Sequence, residues 1–135
     1  MIEDLIKEGY LYFGAGGALG FDTIAAQVVL ELRKKYPQIK LILVLPCRDQ
    51  TKNWKDSDIS TYEQIKHQAD KVVYTSDEYT KDCMHKRNRH LVNNSSACVC
   101  YLTENQGGTF YTVKYAKQQG LRVINVNIEI NTKGY

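Results

Sequence analysis

The sequence predicts an α/β fold with a mostly parallel sheet and helices on both of its faces. Apolar, β-rich runs alternate with segments of helical period along most of the chain. The clearest strand, LILVL at 41–45, is a continuous apolar run, as suits a parallel strand buried on both sides. Glycine-rich turns stand where strands give way to helices, at 14–20 and 105–109.

Taken in order, residues 2–8 read as a short helix, with Ile2, Leu5 and Ile6 on one side and Gly9 just past its end. Residues 10–13 make a short strand that runs into Gly14, Gly16, Gly17 and Gly20. Residues 21–35 carry Ile24, Ala25, Val28, Val29 and Leu32 at helical spacing and end at Lys34, Lys35 and Pro37. After the 41–45 strand the chain turns polar from 46 to 60, a long loop bearing the only tryptophan, Trp54. A modest helix over 61–69 leads to a strand at 71–74, and a helix over 82–94 carries the basic run HKRNRH. A strand at 97–102, a loop at 103–108, a helix at 109–119 and a last strand at 122–127 complete the pattern. With right-handed crossovers this gives one Rossmann-like three-layer domain over residues 1–135.

Composition narrows the function classes. A hydrophobic content of 43% against 24% charged residues is ordinary globular usage and argues against disorder. The net charge of +3 is too small to argue for nucleic acid, and suits an anionic small molecule equally well. The longest apolar run is far below a membrane span, and Met1 leads directly into the first helix, so the expectation is a cytoplasmic protein without a membrane partner. Cys47, Cys83, Cys98 and Cys100 form no CxxC pair and read as free thiols. Cys98 and Cys100, two apart in a strand, are expected on one buried face. His67, His85 and His90 lack metal-ligand spacing, so neither a metal nor a cofactor is expected.

Chemistry concentrates in three places. The first is GAGGALG at 14–20, between a strand and a helix, where glycines let backbone N–H groups approach a phosphate and the helix start favours negative charge. Its spacing is neither that of GxGxxG nor that of a Walker loop, and tight-turn glycines alone would explain it as well. Asp22 would cap the following helix or accept a ribose hydroxyl. The second is NQGGT at 105–109, which repeats the design, with Thr109 at a helix start. In a parallel sheet both loops fall beyond the carboxyl ends of strands, which points to one crevice. The third is the basic helix: Arg87 shares a side with Met84, and either grips a phosphate bidentately or belongs to a solvated basic face.

Four ordered blocks, GGALGFDTIAAQVVLELRKKYP, LVLPCRDQTKNW, CMHKRNRHLV and GGTFYTVKYAKQQG, resemble the YpsA-like branch of the SLOG superfamily over nearly the whole chain. That superfamily also includes the LOG phosphoribohydrolases and the DNA-processing protein A fold. The resemblance implies a Rossmannoid fold and a nucleotide-type ligand. LOG enzymes carry a PGGxGTxxE motif whose glutamate supports cleavage of the N-glycosidic bond. Gly108 and Thr109 match its GT, but Thr112 stands at the glutamate, and a hydroxyl cannot replace a carboxylate in acid/base work. Glu104 and Asp22 are alternative acids away from the matching position. YpsA-like proteins also usually open with a strand and a TGHRP-like turn, whereas this sequence starts at the following helix, which reads as an N-terminally truncated domain. A smaller sheet, a strand from residues 128–132 or a second copy of the chain would compensate, and a homo-oligomer is the favoured expectation.

The resulting expectation is a non-catalytic module that senses or sequesters a nucleotide-derived small molecule. Gly16, Gly17, Gly20, Gly107, Gly108 and Thr109 would hold phosphate, helped by Arg87. Asp22 would meet the ribose, and Trp54 or a tyrosine would stack on the base. Valine at Gly17 or Gly108 is expected to abolish binding and leave the fold intact. Two other readings compete: a hydrolase of nucleoside monophosphates, opposed by Thr112, and a nucleic-acid or protein-interaction module using Lys52, Lys55 and the basic helix, opposed by the modest charge.

Overall fold

The structure, a computed structural model, describes residues 1–103 and 106–126. Five helices and five strands alternate among the described residues, and every strand pairing is parallel. The chain has the Rossmann-like α/β architecture that the alternation predicts. Packing divides it into two compact units, Met1–Arg87 and Asn88–Tyr135.

In the first unit, α1 (Ile2–Lys7), β1 (Tyr12–Ala15), α2 (Phe21–Lys35), β2 (Lys40–Leu45), α3 (Asp56–Gln68) and β3 (Lys71–Tyr74) follow one another, and α4 (Cys83–Asn93) begins. The sheet order is β1-β2-β3. Strand β2 is central, with Phe13 opposite Leu41 on one side and Val72 opposite Leu43 on the other. Leu41, Leu43 and Leu45 are essentially inaccessible, as the apolar run predicts, and each contributes roughly 1.5–3 kcal/mol by leaving water. Ile6, Ala15, Ala26, Val29, Ile39, Tyr62 and Ile65 complete this core. Asp70 ties the sheet to α2: its Oδ2 accepts from the Leu41 N–H at 2.8 Å and from Arg33 Nη1 at 2.7 Å.

Two of the boundaries that differ from the sequence reading do so for definable reasons. Strand β1 lies two residues later, because the Tyr10 N–H closes onto the Leu5 carbonyl while Gly14 and Ala15 pair with Ile42 and Leu43. Pairing with a buried neighbour overrides the poor strand propensity of glycine. Helix α3 starts at Asp56, so the long polar loop is shorter than expected. Asp56 and Asp58 in its first turn suit the helix dipole, and Ile59, Tyr62 and Ile65 recur every three residues on its packed side.

The second unit contains β4 (Ala97–Cys100), α5 (Gly108–Gln118) and β5 (Arg122–Asn125). Strands β4 and β5 pair in register from Ala97 opposite Arg122 to Cys100 opposite Asn125. Val92, Cys100, Val113, Ala116 and Ile124 are its buried apolar residues. Tyr115 donates its hydroxyl to Asn93 Oδ1 at 2.6 Å, fastening α5 to the end of α4. All four cysteines are free; Cys100 is buried and Cys98 half-buried, two residues apart on one side of β4. No helix among the described residues is long and apolar enough to cross a membrane. Residues 128–132, considered above as a compensating strand, lie outside the described residues.

Candidate functional site

The first glycine loop joins β1 to α2 and is tied down from three directions. Arg87, 4% exposed, donates from Nη1 to the carbonyl of Gly16 and from Nη2 to Met84 Sδ at 3.8 Å. Asp22, in the first turn of α2, accepts the Ala18 N–H on Oδ2 at 3.2 Å. Thr23 donates its hydroxyl to the Ala18 carbonyl at 3.0 Å. Asp22 therefore turns the loop; α2 has no side-chain cap, and its N-cap is Gly20 at φ 86°. Of the two roles expected for Asp22, helix capping is not the one observed. The short carboxylate reaches back to the loop amide four residues earlier. Of the two Asp22 carboxylate oxygens, only Oδ2 accepts a hydrogen bond among the described residues.

Two of the glycines are required by close approach. A Cβ on Gly16 would stand 2.6 Å from Arg87 Nη1 and 2.8 Å from its Cζ, with Asp22 Oδ2 at 3.0 Å. A Cβ on Gly17 would overlap Leu45 Cδ2 and lie 3.4 Å from Tyr62 Cε2, and Gly17 sits at φ +75°. Any side chain at Gly17 thus disturbs the core as well as the loop. The expectation that valine there spares the fold does not survive this geometry. Among the described residues, the N–H groups of Gly17, Leu19 and Gly20 make no hydrogen bond, so the loop presents donors at the start of a 15-residue helix.

The electrostatics follow from burial. Desolvation raises the pKa of Asp22, against the pull of the Arg87 charge and the Ala18 N–H. Desolvation lowers that of Arg87, against Asp22 first among its neighbours. Cys47, fully buried just after β2, is pushed up to about 11 by desolvation and by its bond to Asp49, so it is a thiol at neutral pH. Trp54 meets Tyr62 edge-on, with ring centroids 5.5 Å apart and planes at 83°. Trp54 is thereby linked through Tyr62 to the underside of Gly17.

Sequence reasoning missed Tyr62 and Gln50. Gln50 Oε1 is buried without a hydrogen-bond partner among the described residues and lies 3.6 Å from where a Gly17 Cβ would stand. The three-residue spacing of Ile59, Tyr62 and Ile65 was the available signal for Tyr62; none marked Gln50.

The second loop belongs to the other compact unit. Gly107 caps α5 at φ 97°, Gly108 is its first residue, and among the described residues no atom stands within 4 Å of a Cβ built on either. Thr109 is exposed in the first turn, and no side chain caps the helix. Upstream, the Asn125 side-chain amide accepts from the Leu102 N–H and donates to its carbonyl, both at 3.1 Å, fixing the chain as it leaves β4. Thr112 turns its hydroxyl back to the Gly108 carbonyl at 2.9 Å. Glu104, considered above as an alternative acid, lies outside the described residues, and no cluster of metal-ligating side chains occurs among the described ones.

A family model described as the YspA SLOG family matches residues 1–131. The uncharacterized SPbeta prophage-derived protein YoqJ of Bacillus subtilis (strain 168) is 32% identical over 131 residues, covering 87% of this chain and 77% of that protein. UPF0398 proteins of Bacillus cereus are similar. That of strain G9842 is 33% identical over 122 residues (88% of this chain, 66% of the relative). That of strain B4264 is 33% identical over 118 residues (85% and 64%). The chain thus spans about two thirds of the length of these UPF0398 relatives. With parallel α/β units, a glycine loop opening onto α2 and a match along nearly its whole length, the chain belongs to the YpsA family of SLOG proteins.

Proposed function

We propose that the chain binds a nucleotide-derived small molecule and holds it without cleaving it, as a sensing or sequestering module. The observation that carries this reading is the first loop, where N–H groups of Gly17, Leu19 and Gly20 have no acceptor among the described residues at the start of α2, which no side chain caps. Such a helix start favours a phosphate through both its donors and its dipole. Gly17 and Gly20 then donate to phosphate oxygens, and Gly16 contributes by its lack of a side chain. Asp22 Oδ1 accepts from a ribose hydroxyl, and Trp54 offers a ring edge or face to the base. In its own unit, the start of α5 at Gly107, Gly108 and Thr109 has the same donor chemistry and is proposed to meet a phosphate there.

The choice of binding over N-glycoside hydrolysis rests on Thr112. Its hydroxyl is neutral and bonded to the Gly108 carbonyl, where LOG-type chemistry would place a carboxylate. Self-association belongs to the same proposal. Native mass spectrometry of freshly purified protein reads both claims at once, as the mass of a retained nucleotide and the number of subunits. The expected outcome is a retained or titratable nucleotide, with no free base released from a panel of nucleoside monophosphates. Base release above the enzyme-free control, or no binding of any nucleotide tested at millimolar concentration, overturns the reading.

A further inference from the structure

We infer that Arg87 is a positioning residue acting from behind the first glycine loop: it holds the Gly16 carbonyl inward and so turns the Gly17 N–H outward, toward a phosphate that it does not itself touch. The inference rests on the reading of this loop as a phosphate site and assigns the basic helix a different part in it.

Burial is the first ground. A guanidinium that reads a phosphate presents its donor fork to the ligand. Arg87 is 4% exposed, and two of its donors are directed to the Gly16 carbonyl and the Met84 sulfur. Peptide geometry is the second. The described peptide bonds are all trans, and a trans peptide is planar with its C=O and the next N–H pointing in opposite directions. With the Gly16 carbonyl held toward Arg87, the Gly17 N–H must point away from it. The same rule applies two peptides further on, where Thr23 holds the Ala18 carbonyl and sets the Leu19 N–H opposite. Asp22 takes the intervening Ala18 N–H, so the loop alternates between anchored groups and presented donors.

The third ground is steric. The guanidinium occupies the space that a Cβ on Gly16 would need, at 2.6 and 2.8 Å, so glycine at 16 and arginine at 87 are a matched pair across 71 residues of sequence. A flat guanidinium fits beneath a backbone in a way that a tetrahedral ammonium does not. The Asp22 charge beside it offsets part of the cost of burying the cation.

A double-mutant cycle with a ligand-free readout tests this. Gly16→Ala should destabilise the protein in the parent background and much less in Arg87→Met, where the clashing guanidinium is gone. In ligand-free protein, backbone 15N order parameters of residues 16–20 should fall from about 0.85 to below about 0.6 in both Arg87→Met and Arg87→Lys. Affinity for inorganic phosphate should drop roughly tenfold or more in both variants, because keeping the charge does not restore the position. Unchanged order parameters with lost phosphate binding, or a Lys variant that keeps most of the affinity, would overturn the inference by making Arg87 a direct anion contact. If the parent protein binds no phosphate while the order parameters and the cycle behave as stated, the positioning role stands and the phosphate reading fails. If Arg87→Met does not fold, the loop order in Gly16→Ala and Arg87→Lys decides.

Discussion

The two glycine loops look alike in sequence and differ in what their glycines are for. At the first, Gly16 admits a guanidinium and Gly17 admits Leu45 and Tyr62, so the absence of side chains is a packing requirement. At the second, no described residue crowds a Cβ at Gly107 or Gly108, and only Gly107 needs its left-handed backbone. The first loop is anchored through the groups of Gly16 and Ala18 by side chains from α4 and α2. At the second, described anchoring comes from Asn125 upstream and Thr112 within α5 itself. A glycine motif therefore signals a close approach without saying whether the approaching group is a ligand or the protein's own core.

The largest expected effect separates these two cases. Gly17→Ala forces an L-residue to φ +75°, costing roughly 1–2 kcal/mol. It also presses a methyl on Leu45, which is fully buried and cannot swing aside, adding about 1–3 kcal/mol of overpacking. Urea unfolding should show a total loss of about 2–5 kcal/mol. A loss below about 1 kcal/mol would mean that the loop relaxes freely, and the contrast with the second loop would disappear.

A smaller, pH-dependent effect probes the anchoring itself. Burial holds the Asp22 carboxyl above its ordinary 3.8, so the folded chain binds this proton more readily than the unfolded one. The stability contributed by the group is fully present below 3.8 and is lost as pH rises through the raised native value. Measured against Asp22→Asn, which does not titrate, the parent should lose relative stability across the acid range and then level off. Urea titrations at a series of pH values check this. A parent that gains on the Asn variant as pH rises would show that pairing with Arg87 outweighs desolvation.

Much of this architecture is legible from spacing. Helix α2 reads as Phe21–Lys35 because its apolar residues keep a helical period between Gly20 and Pro37, both strong stop signals. The first turn of α3 is hidden because KDSD looks like a polar loop until its place at a helix start is known. The side-chain spacing on α4 correctly joins Arg87 to Met84. Whether that side faces a ligand or the Gly16 carbonyl depends on a contact 71 residues away, which no local pattern encodes. Asp22 is similar: its nearness to the helix start is visible, while its choice of the loop amide over the helix follows from where Ala18 is held. Periodicity reports which residues share a face, and only packing decides what that face meets.

The smallest expected effect on stability sharpens the comparison from the other side. Gly108 is the first residue of α5, its backbone is not left-handed, and among the described residues a Cβ there meets nothing within 4 Å. Gly108→Ala should therefore be neutral or stabilising by up to about 0.5 kcal/mol, since alanine loses less backbone entropy on entering a helix. Its effect on binding should run the other way. If a phosphate approaches the start of α5 through backbone N–H groups, a methyl at 108 crowds that approach and weakens inorganic phosphate or a nucleoside monophosphate without loosening the fold. Thermal unfolding and ligand titration on the same sample separate the two readouts. A destabilisation beyond about 1 kcal/mol would place Gly108 among packed positions like Gly17. Unchanged stability with unchanged affinity would remove the second loop from the proposed ligand contacts and leave the first to carry the site. Loss of affinity alone is the result that distinguishes a glycine kept open for a ligand from one kept small for the core.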